Sequence, residues 1–132
     1  MRLLLDTSAY AALRRGDGQV ADLVHRADEI LMSAIVVGEL LFGFRGGSRL
    51  EHNIGALHGF LTARAVKFVP VTQVTAERYA LVAASLRRRG HPIPTNDLWI
   101  AAHALETGAD LVSFDDHFAH VEGVAWIKPG AG

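Results

Sequence analysis

Arg2-Leu3-Leu4-Leu5-Asp6-Thr7-Ser8 is an apolar run that stops on a carboxylate and continues into two hydroxyl residues. Residues of about 2–6 read as a short buried strand, and Thr7 or Ser8 can cap a helix running to about Arg14. The same alternation recurs along the chain. Glu29 to Ser33, Val66 to Val71, Asp110 to Phe114 and Val124 to Ile127 read as further strands. Between them lie helical stripes. Val20, Leu23, Val24 and Ala27 form one; Ala34 to Phe44, ended by Gly46-Gly47, is a second; Leu50, Ile54, Leu57 and Leu61 mark a third. Thr75 is the expected cap of a helix lined by Tyr79, Val82, Ala83 and Leu86, and Asn96 the expected cap of the next, which Gly108 ends. His91-Pro92-Ile93-Pro94-Thr95 is a loop between those two helices. Strands alternating with helices predict a three-layer α/β/α domain with a mainly parallel sheet of about five strands, filling residues 1–132 as a single domain. Ligands of such sheets bind outside the carboxyl ends of the strands.

The first run also introduces a chemical oddity. Asp6 closes Leu3-Leu4-Leu5, Glu39 lies inside Ile35-Val36-Val37-Gly38-Glu39-Leu40-Leu41-Phe42, Asp97 heads Leu98-Trp99-Ile100-Ala101-Ala102, and Asp115 closes Leu111-Val112-Ser113-Phe114. An ionised carboxylate beside apolar side chains is costly unless it is paired or holds a metal. Asp6 and Asp115 both end a strand, and Glu39 and Asp97 both sit on the apolar stripe of a helix. Each has an ordinary explanation alone. Asp6 and Asp115 can be helix caps, Asp97 a first-turn acid favoured by the helix dipole, and Glu39 the partner of Arg45 or Arg49. Caps and dipoles do not explain why all four accompany apolar runs. Hard oxygen donors suit Mg²⁺, with Mn²⁺ as the alternative, and such ions support in-line attack of water on a phosphodiester. Thr7, Asn96 and Ser113 flank the acids and can orient a carboxylate, a water or a phosphate oxygen, or serve in caps and turns.

Bulk composition narrows the field. Half the residues are apolar, which excludes a disordered chain, and a formal charge of −1 excludes a global basic field for nucleic acid. Local patches remain at Arg14-Arg15 and Arg87-Arg88-Arg89, although cations at a helix C-terminus need no ligand to explain them. The absence of Cys excludes disulfides and thiolate metal sites, and the seven His residues show no zinc-ligand spacing; His117-x-x-His120 reads as a surface turn. Trp99 and Trp126 read as core or groove aromatics. Met1-Arg2-Leu3-Leu4-Leu5 starts like a signal peptide, but Asp6 interrupts it too early, and no stretch is apolar for long enough to span a membrane. A soluble cytoplasmic protein is the expectation.

In order, Leu5-Asp6-Thr7-Ser8, Ser33 to Gly43, Asn96 to Ala102 and Leu111 to Phe118 resemble the motifs of PIN-domain ribonucleases. The length resembles the VapC toxins of toxin–antitoxin pairs. That resemblance implies a Mg²⁺-dependent endoribonuclease with a catalytic, metal-binding quartet of Asp6, Glu39, Asp97 and Asp115, acting on cellular RNA. It also implies toxin homodimers and a VapB-like antitoxin that blocks the site. Ser113 stands where the family carries Thr or Ser, and the extra acid Asp116 is expected to point elsewhere. Two apolar helices in succession, 34–44 and 50–61, suggest a groove between them for an antitoxin segment with a basic side chain reaching the acids. Three other readings stand beside this one: a PIN nuclease outside toxin–antitoxin systems, a catalytically silent PIN-like binding module, and an aspartyl-phosphate α/β protein. The last is disfavoured because Asp6-Thr7-Ser8 lacks the second Asp of the haloacid dehalogenase pattern and neither Lys67 nor Lys128 ends a suitable strand for a receiver.

Overall fold

The computed structural model describes residues 1–130. Five strands form one parallel sheet: β1 (Arg2–Leu5), β2 (Glu29–Ser33), β3 (Val66–Val69), β4 (Asp110–Val112) and β5 (Trp126–Ile127), in the order β3-β2-β1-β4-β5. The helices are α1 (Thr7–Arg14), α2 (Gly18–Arg26), α3 (Ala34–Arg45), α4 (Leu50–Leu61), α5 (Gln73–Arg88) and α6 (Thr95–Thr107), with a 3-10 helix at Asp116–His120. The chain first steps outward from β1 to β3, then returns to the other side of β1 for β4 and β5. Right-handed crossovers therefore change face at β1, which gives the three layers and places a topological switch point between β1 and β4.

The central strands are continuous apolar runs because both of their faces are covered. Leu3, Leu4, Leu5, Met32, Leu111 and Val112 are fully buried. Pairing of Leu5 with Val112 sets the residues that follow, Asp6 and Ser113, side by side, and the Asp6 amide still donates to the Val112 carbonyl at 3.2 Å. On α6, Ile100, Ala101 and Ala102 are buried together with His103. His103 ties three elements: Nδ1 lies 2.8 Å from the Ser33 hydroxyl and Nε2 lies 3.1 Å from the Pro70 carbonyl. A carbonyl only accepts, so Nε2 carries the ring hydrogen and Nδ1 accepts from Ser33. The Trp residues are structural: Trp99 stacks on Tyr79 at 4.2 Å, and Trp126 donates to the Ser113 carbonyl.

Element ends differ from expectation where side chains take part in caps. Of the caps offered for α1, Asp6 takes the place and Thr7 and Ser8 do not, because its short carboxylate reaches the Ala9 amide at 2.8 Å. Thr72 caps α5, and Thr75 is its reciprocal capping-box partner three residues on. Helix α6 begins after Pro94 with no side-chain cap, leaving Asn96 for another task. β3 stops at Val69 rather than Val71, since Pro70 has no amide hydrogen to extend the ladder. β4 and β5 are also shorter than expected, and Asp115 caps a 3-10 helix, as the cap reading of that acid allowed. Gly108 ends α6 at φ 69°, a left-handed conformation that suits glycine.

Candidate active site

The carboxyl ends of β1 and β4, the inner face of α3 and the start of α6 bring all four predicted acids into one region. Asp6 is the deepest, at 4 % exposure. One of its oxygens, Oδ1, accepts from the Ser8 hydroxyl at 2.7 Å and from the Ala9 amide. The other, Oδ2, accepts a short hydrogen bond from Ser113. The Ser113 hydroxyl in turn accepts from the Asp115 amide at 2.9 Å, so one buried hydroxyl couples the ends of both strands. Asp6 is thus a helix cap and a neighbour of the acidic cluster at once. Burial pushes its carboxyl above the ordinary range, opposed by the bonds from Ser113, Ser8 and Ala9 and reinforced by the charge of Asp115.

Glu39, Asp97 and Asp115 line an open crevice of about 490 Å³, together with Pro94, Thr95, Asn96 and His117. Asp6 does not line it. Glu39 is held from two sides: Thr7 donates to Oε1 at 2.7 Å and Asn96 donates to Oε2 at 3.2 Å. Among the described residues no ion pair joins Glu39 to Arg45 or Arg49. Asp97, in the first turn of α6, has its carboxyl pushed up, first by burial and then by the charges of Asp115 and Glu39, against a hydrogen bond from His117. Thr7, Asn96 and Ser113 each contact an acid of the predicted quartet, and Asn96 does so instead of capping its helix. Asp116 points away and pairs with Lys128 at 2.7 Å.

His117 belongs to the site although its sequence context reads as a turn. Its Nδ1 lies 2.6 Å from Asp97 Oδ2 and 3.0 Å from Asp115 Oδ1. Bonding to Asp97 first, with the surrounding acids adding to it, holds the imidazole above its ordinary pKa. The neighbouring Phe118 is almost fully buried and anchors the turn, a fact the sequence pattern does not show. Arg89 of the basic run is committed within the fold, donating to the His120 carbonyl and lying 3.9 Å from Glu122, whereas Arg87 and Arg88 are exposed. Beside the crevice runs an apolar groove of about 320 Å³ lined by Ala34, Ile35, Gly38 and Phe42 and ending at Glu39 and Asn96. It lies between α3 and the start of α6, not between α3 and α4 as the apolar stripes suggest, because Leu57 of α4 is buried in the core.

The family model described as "PIN domain" matches residues 3–124. The chain belongs to the PIN-domain family, among its VapC-type ribonucleases. The match spans the four acids and every side chain that hydrogen-bonds to them. Ribonuclease VapC1 of Haemophilus influenzae strain R2866 is 35% identical over 131 residues, covering 96% of each chain. Ribonuclease VapC5 of Mycobacterium tuberculosis is 26% identical, covering 95% of this chain and 91% of that one. Among solved structures, VapBC-1 from nontypeable Haemophilus influenzae superimposes with a TM-score of 0.85 at 28% identity, covering 97% of this chain and 98% of that one. As a PIN domain, the chain offers a donor set of carboxylates with one imidazole and no thiolate, which fits a divalent cation of hard to borderline character. No helix is long and apolar enough to cross a membrane, among the described residues.

Proposed function

We propose that this PIN domain, residues 1–132, is an endoribonuclease dependent on Mg²⁺ or Mn²⁺ and the toxin of a VapBC-like pair, acting on cellular RNA in the cytoplasm as a homodimer. The observation that carries the reading is the convergence of Glu39, Asp97 and Asp115 on one crevice at the β1/β4 switch point, with Asp6 beneath. So many carboxylates repel a phosphodiester when left alone, and the raised carboxyls of Asp6 and Asp97 express their burial first and the charge of neighbouring acids second. Glu39, Asp97 and Asp115 would hold a divalent cation, which would supply positive charge for the phosphate and lower the pKa of a bound water.

The remaining work falls to the chain's own groups. Thr7 and Asn96 fix both oxygens of Glu39, so that the carboxylate points into the crevice without rotating. Ser113 holds Asp6 and the Asp115 backbone in register. The start of α6 has no side-chain cap, and Pro94, Thr95 and Asn96 line the crevice, so the positive end of the helix dipole favours an RNA phosphate there. Single-stranded or looped RNA fits an open crevice better than a rigid duplex.

The antitoxin reading rests on the likeness to VapBC-1 and on the groove beside the crevice. Phe42, 82 % exposed, offers an apolar anchor, and Glu39 at the groove's end offers a carboxylate for an Arg of a bound peptide. The test is cleavage of a fluorescent RNA by the purified protein in Mg²⁺ or Mn²⁺, in EDTA, and after the ion is restored. Cutting that EDTA stops and the ion restores is expected. Undiminished cutting in EDTA, or none in any ion, refutes the proposal.

A further inference from the structure

We propose that His117 donates Nδ1 to the metal centre, and that this imidazole tilts the site toward Mn²⁺ over Mg²⁺. The inference rests on the metal-dependent reading above and adds a ligand and an ion preference to it.

The local sequence builds the donor. Asp115 caps the 3-10 helix by accepting from the His117 amide at 3.0 Å, and Phe118 anchors that helix in the core. Backbone and anchor together aim the His117 ring at the crevice. There Nδ1 lies 2.6 Å from Asp97 Oδ2 and 3.0 Å from Asp115 Oδ1, and the three residues offer ligand atoms all within 4.8 Å of one another. In an octahedral shell with ligands at about 2.1 Å, adjacent donors sit about 3 Å apart. The two separations to Nδ1 are already close to that of neighbouring ligands around one ion. The ring bonds to Asp97 alone while Asp115 stands beside it at ion-pair distance, a point where a cation satisfies all three groups better than one hydrogen can.

The choice of ion follows from donor chemistry. Mg²⁺ binds mainly through oxygen and keeps its waters, whereas Mn²⁺, the first ion of the Irving–Williams series, is softer and accepts a nitrogen donor at smaller cost. Replacing one oxygen donor by Nδ1 therefore costs Mg²⁺ more than Mn²⁺. The other exposed histidines nearby make a built-in control: His91 and His120 stack on each other at 3.8 Å, outside the crevice.

The experiment is Mn²⁺ binding to the full chain followed by electron paramagnetic resonance. The fall of the free-ion signal gives the affinity, and pulsed measurement detects ¹⁴N coupled to the bound ion. Wild type and His120→Ala should show nitrogen coupling, and His117→Ala should lose it. His117→Ala should bind Mn²⁺ at least about tenfold more weakly, with a smaller drop for Mg²⁺ measured by competition. His117→Asp should keep Mn²⁺ binding without nitrogen coupling and shift the preference toward Mg²⁺. Circular dichroism establishes that each variant is folded. Tight Mn²⁺ binding by wild type with no nitrogen coupling overturns the His117 assignment and leaves the metal reading standing. Folded protein that binds no Mn²⁺ overturns both.

Discussion

Ser113→Ala removes one oxygen and should be felt at two acids of the candidate site, Asp6 and Asp115. The Ser113 hydroxyl is fully buried, donates to Asp6 Oδ2 and accepts from the Asp115 amide. A hydrogen bond to a charged group contributes about 1.5–3 kcal/mol, and a buried amide left without a partner costs about 1–3 kcal/mol. The Asp115 amide lies at the edge of the crevice, where water can replace part of its bond, so the total is about 2–4 kcal/mol. At about 3–5 °C per kcal/mol for a chain of this size, Tm should fall by roughly 6–20 °C. Calorimetry in EDTA at neutral pH gives that number. A double-mutant cycle with Asp6→Asn isolates the pair, and a coupling of about 1–3 kcal/mol is expected. Cleavage should drop as well, because Asp6 and Asp115 lose their common support. A Tm within about 2 °C of wild type, or strictly additive single variants, refutes the claim that this hydroxyl couples the two strand ends.

Three further outcomes follow from the same geometry. Glu39→Gln, Asp97→Asn and Asp115→Asn should each reduce RNA cleavage by at least a hundredfold, on the order of losing a preorganised electrostatic group, while Asp116→Asn, paired with Lys128 away from the crevice, should change it little; full activity in two of the first three refutes the assignment. Asp6, Asp97 and His117 all have raised pKa values. The ion-free fold therefore holds more protons than the unfolded chain, for the two acids above the ordinary carboxylate range and for His117 above the ordinary imidazole range. Stability in EDTA should fall as pH rises through those windows, and a Tm that climbs from pH 5.5 to 8.5 contradicts this. Replacing Arg87 and Arg88 by Gln should lower the salt dependence of RNA binding by about one in log–log slope for each phosphate those side chains neutralise, whereas Arg89→Gln should instead loosen the 3-10 helix, since Arg89 is bonded to His120; an unchanged slope makes Arg87 and Arg88 solvated charges only.

The strands and the acids are legible because burial leaves a mark on composition. Leu3-Leu4-Leu5 and Leu111-Val112 are apolar on both faces, and the carboxylates at their ends are conspicuous for that reason. The β1/β4 neighbourhood is only a conditional expectation from sequence; it comes from handedness over the whole chain, not from either strand. Asn96 reads locally either as a cap or as a group that orients a carboxylate, and the packing of α3 against α6 decides for the second by setting its amide on Glu39. His117 is illegible for a related reason. A five-residue 3-10 helix has no hydrophobic period long enough to orient a side chain, so its ring direction depends on where Phe118 is buried. The groove is displaced because stripe counting cannot say which of two apolar helices the core consumes; Leu57 goes inside and Phe42 stays outside.

The central claim is that the acids at the β1/β4 switch point form one metal centre. Anomalous diffraction from crystals soaked in Mn²⁺ locates that ion without reference to activity. The account predicts a peak in the crevice about 2.2 Å from oxygens of Asp97 and Asp115, absent from Asp97→Asn crystals under the same soak. A peak only at some other acidic pair, or none in the crevice at saturating Mn²⁺, contradicts it.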